Sequence, residues 1–127
     1  MHELTKKNYE WNCNKNIVCF IFILDIKADK SGIKFIKPLL EETIDKPIEF
    51  FYSERLPQLE GYLMIEDKST PKMVATWEGI NSYRIYNGGN NYDELNSFIE
   101  HLMERRRWIK FEQKSTELLF GGSNSEL

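Results

Sequence analysis

The run NIVCFIFILDI at residues 16–26 constrains this chain most. It is continuous, β-branched and aromatic, with no polar face to turn toward water. Such a run predicts a central strand covered on both sides. The rest of the chain must then supply the cover. With 127 residues, 41% hydrophobic and 13% aromatic, it is long enough for one domain with its own core. The apolar stretch, residues 17–24, falls far short of the roughly 20 residues that a membrane-crossing helix needs.

Around this strand the chain divides into an N-terminal arm (1–15), a single domain (16–120) and a disordered tail, GGSNSEL (121–127). In the arm Tyr9, Trp11 and Cys13 alternate, as they would along an edge strand. Ile33, Ile36, Leu40 and Ile44 follow helical spacing, and Pro38 suits the first position of a helix that Pro47 ends. IEFFYS (48–53) and EGYLMIED (60–67) read as two strands paired antiparallel. STPKMVATWEG (69–79) carries helix signals at both ends: Thr70 as cap, Pro71 in the first turn and Gly79 at the exit. Met73 and Trp77 would then lie one turn apart on a shared face. NSYRIYN (81–87) is a strand and NGGNN (87–91) a turn. The segment 91–107 is a helix, capped by Asn91 and Glu94, with Leu95, Phe98, Ile99, Leu102 and Met103 in one apolar stripe. WIKFEQK (108–114) closes the sheet. The order β-α-β-β-α-β-α predicts an α+β fold, a mostly antiparallel sheet of about five strands with two or three helices on one face.

The net charge of −3 argues against a free-standing nucleic-acid binder, though a local basic patch is compatible with it. Cys13 and Cys19 form no C-x-x-C pair, and reduced thiols in a cytoplasmic, intracellular protein are the expectation. The polar first 16 residues do not read as a signal peptide. Two cysteines and two histidines at no ligand spacing argue against zinc, and no G-x-S-x-G occurs, so no catalytic residue is assigned and the reading leans away from an enzyme without settling it. The basic cluster Arg105, Arg106 and Arg107, followed by Trp108 and Lys110 and joined by Arg84, has the makings of a single-strand contact: cations for phosphates and an aromatic for stacking. Cations at a helix C-terminus, complementing its dipole, explain the same cluster.

Several stretches in this order resemble the replication-initiator (Rep) endonuclease domains of circular single-stranded DNA viruses, the HUH class. CFIFILD falls where that family has its first motif, PQLEGYLMI resembles its metal-motif strand, and PKMVATWEG with NSYRIYN resembles the helix and strand that follow. LNSFIEH resembles the tyrosine helix. The resemblance implies that Gln58 and Glu60 occupy the two metal-ligand positions on one strand face, with Glu54 as the extra acid and Phe98 at the nucleophile's place. The family's histidines are absent, and no cofactor is expected unless these oxygens hold Mg²⁺ or Mn²⁺. A phenylalanine has no hydroxyl and cannot attack phosphorus. The first expectation is therefore a non-catalytic, Rep-like nucleic-acid-binding module. The second is a small acidic protein-binding inhibitor, of the phage or plasmid anti-defence or immunity type, with Tyr9, Trp11, Tyr83 and Tyr86 as candidate anchors. The third is a metal-dependent single-strand nickase.

Overall fold

The structure, a computed structural model, describes residues 2–14, 16–23, 41, 45–65, 72–86, 92–102, 104 and 107–121. In chain order the elements are β1 (His2–Glu3), α1 (Lys6–Asn12), β2 (Val18–Ile23), β3 (Ile48–Ser53), α2 (Pro57–Tyr62), β4 (Lys72–Trp77), a 3-10 turn (Glu78–Ile80), β5 (Ser82–Tyr86), α3 (Tyr92–Glu100), β6 (Ile109–Lys110) and α4 (Ser115–Phe120). The fold is α+β, with a six-stranded sheet in the order β1-β3-β2-β4-β5-β6. β2, β3 and β1 run parallel; the β2–β4, β4–β5 and β5–β6 pairs are antiparallel.

Strand β2 is central and buried along its whole length, as its lack of a polar face requires. Val18, Phe20 and Phe22 join Phe50, Met73, Ala75, Trp77 and Tyr86 beneath Leu95, Ile99 and Leu102 of the α3 segment. The alternate residues Cys19, Ile21 and Ile23 face the other way, with Phe51 and Val74. There they meet Tyr9 of α1, Leu59 of α2, and Leu118 and Leu119 of α4. Helices therefore cover both faces of the sheet, as the central run requires, which corrects the expectation that the helices lie on one face. A single layer would leave the apolar side chains of one β2 face in water, at a cost of about 1.5–3 kcal/mol for each large residue.

Two elements exchange identity relative to the sequence reading. Residues 57–62, within the expected connection and third strand, are helix α2. Residues 72–77, expected as a helix, are strand β4. A spacing of four satisfies both periods: Met73 and Trp77 share a face in a helix, and Met73, Ala75 and Trp77 share one in a strand. β4 goes to the sheet because β2 needs a hydrogen-bonding neighbour on the side away from β3, and β4 fills that place antiparallel. The exit expected at Gly79 is made instead by Asn81, in the left-handed region at φ 46°. Its carbonyl accepts from the Phe111 N–H at 2.8 Å and so holds the start of α4's lead-in against the β4–β5 hairpin.

The N-terminal residues are part of the fold. His2 and Glu3 pair with Phe51 and Tyr52. The edge strand expected from Tyr9, Trp11 and Cys13 is helix α1, which buries Tyr9 and exposes Trp11. Cys13 and Cys19 are joined in a disulfide, correcting the expectation of free thiols. Helix α3 ends at Glu100, several residues before the expected end. The helix predicted from Pro38 (Glu41 apart), the Thr70–Pro71 and Asn91 caps, the NGGNN turn, Met103 and the tail from residue 122 lie outside the described residues.

Candidate functional site

The expected metal group does not assemble as one site. On a strand, Gln58 and Glu60 would point the same way; on α2 they lie about 200° apart around the axis. Glu54 and Gln58 are exposed, whereas Glu60 is 2% exposed. Its carboxylate is already engaged. One oxygen pairs with the Arg55 guanidinium, and the other accepts the Leu56 backbone N–H at 2.7 Å. Leu56 is the residue preceding the first turn, so Glu60 folds back to satisfy an end of its own helix, in the manner of a capping box. Among the described residues no group of three or more His, Cys, Asp or Glu side chains could hold a metal ion.

The basic cluster is partly dispersed. Arg105 and Arg106 lie outside the described residues. Trp108 is half-buried, donates its indole N–H to the Leu102 carbonyl at 2.9 Å, and packs edge-on against Trp77 at 5.5 Å. Its ring is a core contact rather than an open stacking platform. Lys110 is exposed at the end of the sheet, paired in register with Ser82. Because α3 stops at Glu100, Arg107 is too far along the chain to serve that helix's dipole, whose influence fades within the last turn.

Arg84 and Arg107 do meet. They share a cleft of about 460 Å³ with Tyr86, Glu94, Ser97, Phe98, His101 and Glu104. Arg84 stands on the α3 face of β5, where register places it beside Ala75. Its guanidinium lies 4.7 Å from the centre of the Phe98 ring and donates to the His101 carbonyl at 3.1 Å. Burial, and then the nearby charge of Arg107, lower its pKa, while Glu104 opposes the shift. His101 Nδ1 lies 3.0 Å from the Glu104 carboxylate. Phe98 also meets Phe20 and Tyr86, at 5.9 and 5.4 Å, so the position matched to a nucleophile is the aromatic floor of this cleft.

A second feature lies on the opposite face of the sheet. Helix α1 is fixed at both ends. The Thr5 hydroxyl accepts the Asn8 N–H at 3.1 Å, and Cys13 is bonded to Cys19 of β2. Between them Tyr9 is buried. Its hydroxyl lies 2.8 Å from Thr76 Oγ1 and donates to Glu78 at 2.5 Å; Ser115 of α4 also donates to that carboxylate. Burial, then Glu78, raise the Tyr9 pKa well above its ordinary range. Trp11 projects from this clamped helix 84% exposed, bordered by Lys6, Lys7 and Glu10. Of the four expected anchors, Tyr9 and Tyr86 are buried, Tyr83 is half-buried, and Trp11 alone stands out. The sequence reading missed Arg55 as the partner of Glu60, and missed the disulfide. Pro57 and Glu60, at first-turn positions, were the available signal for the former.

No protein-family model matches this chain, and a search of curated proteins gives no match.

Proposed function

We propose that this chain is a non-catalytic, disulfide-stapled protein-binding module that docks through the Trp11 face of α1. The observation that carries this reading is the 84% exposure of Trp11 on a helix held by a cap, a disulfide and a buried tyrosine. A large aromatic on a rigid support loses little conformational freedom on binding, which is why such residues dominate the energetics of interfaces. Lys6 and Lys7 beside it suit a partner whose apolar pocket has an acidic rim. The disulfide suits an oxidising compartment. Among the described residues no helix is long and apolar enough to cross a membrane.

Single-strand nucleic-acid binding is the second reading. It keeps Arg84 and Arg107 in one cleft, but the aromatic meant for stacking, Trp108, is packed on Trp77. Nicking loses the geometric premise for its metal, since Glu60 is paired with Arg55.

The test is affinity capture with the wild type and Trp11→Ala as baits, each with and without nuclease. The expected result is a stoichiometric protein partner that survives nuclease and is lost with Trp11→Ala, while the stability of the variant changes by no more than about 0.5 kcal/mol. Equal capture by both baits, or a partner released by nuclease, would count against the reading.

A further inference from the structure

We propose that the cleft between β5 and α3 binds a phosphate ester carrying a planar ring, a nucleotide-sized ligand whose phosphate lies between Arg84 and Arg107. This site is on the sheet face opposite Trp11 and is independent of the docking reading. Its volume, about 460 Å³, lies within the range of small-ligand clefts.

The arginines are arranged for an anion. Arg84 is held in place by its hydrogen bond to the His101 carbonyl and by the Phe98 ring beneath it. A guanidinium has five N–H donors, and among the described residues Arg84 gives hydrogen bonds only to that carbonyl. Arg107 is exposed and makes no ion pair among the described residues, yet it is close enough to Arg84 to depress the latter's basicity. Two like charges facing one cleft repel; an anion between them turns that repulsion into two attractions. The floor of Tyr86 and Phe98 is aromatic and Ser97 adds a hydroxyl, so the surface beside the phosphate position suits a ring rather than a bare ion. Glu104, bound to His101 and attractive to Arg84, competes with the ligand's phosphate for the same cation. Removing the charge of Glu104 and removing that of Arg107 should therefore act in opposite directions.

The experiment is calorimetric titration of the whole chain with adenosine 5′-monophosphate, adenosine and a short single-stranded oligonucleotide, at low and moderate salt. Wild type, Arg107→Ala and Glu104→Gln are compared. Saturable one-to-one binding of the monophosphate or of the oligonucleotide is expected, weakened about tenfold in Arg107→Ala and tightened several-fold in Glu104→Gln. Adenosine should bind at least tenfold more weakly than its monophosphate. Saturation by the oligonucleotide alone, with a steep salt dependence, would assign the phosphate to a strand; saturation by the monophosphate would assign it to a free nucleotide. The proposal is overturned if neither phosphate compound saturates, if both variants bind like the wild type, or if adenosine matches its monophosphate. Arg107 is exposed, so loss of fold does not confuse the result; thermal melting of each variant checks this.

Discussion

Glu60 sits at 2% exposure, and its two carboxylate oxygens go to Arg55 and to the Leu56 N–H. An acid beside a turn is ordinarily solvated, and its type and position allow either that role or metal ligation. Only the helical geometry of α2 turns this side chain inward while its neighbour Gln58 faces water. The guanidinium then has to follow, and its Nε is left buried without an acceptor. Replacing Glu60 with Ala would strand that cation and uncap the helix, a loss of about 2–4 kcal/mol. Glu60→Gln, which keeps an acceptor for Leu56, should cost less. Urea unfolding of the two variants measures the difference; equal, negligible losses would show that the buried pair is of no consequence. Tyr9 makes a related point. Its ring occupies the core while its hydroxyl joins Thr76 and Glu78, so Tyr9→Phe leaves the buried Thr76 hydroxyl short of a partner, at a cost of about 1–2 kcal/mol.

At the scale of elements, α1 owes its stability to the rest of the fold. At 7 residues it is too short to persist alone in water, and it depends on its Thr5 cap, the burial of Tyr9 and the disulfide. The Cys13–Cys19 bridge closes a small loop, with a sequence separation of 6, for which loop-closure entropy gives roughly 2 kcal/mol. The Cys13→Ser/Cys19→Ser double variant, or the reduced wild type, is therefore expected to unfold about 2 kcal/mol more easily. Amide exchange should accelerate first in residues 6–12. Unchanged exchange there after reduction would mean that the bridge does not hold the helix. The exchanged identities of α2 and β4 also belong to this scale. End signals of the type read at Thr70, Pro71 and Gly79 do not choose between the two, because such residues flank strands as readily as helices. Their interior, MVATW, is β-branched and aromatic enough to complete the sheet beside β2.

Across the whole molecule, the two packed faces are stitched by a sheet that is parallel on one side of β2 and antiparallel on the other. Val18–Ile23 should be the last amides to exchange, because every route to exposing them opens both cores. Tyr9, Tyr83 and Tyr86 titrate above their ordinary range, each chiefly through burial. Their folded pKa values lie above the unfolded value of about 10, so the native state holds protons that the unfolded chain releases. This contribution is complete below pH 10 and is lost as pH rises past it. The urea midpoint should fall above pH 10, and less steeply in Tyr9→Phe; a flat profile to pH 11 would contradict the raised pKa values, that of the buried Tyr9 hydroxyl first. From its residues alone, the chain determined that one strand must be central and doubly covered, because an all-apolar run has no side to give to water. It determined equally that Leu95, Ile99 and Leu102 must face a core, because only one period fits their spacing. Tertiary structure decided which of two ambiguous segments became a helix and which basic residues came to share a cleft. Those outcomes turn on contacts between residues far apart in the chain, and local spacing carries no record of them.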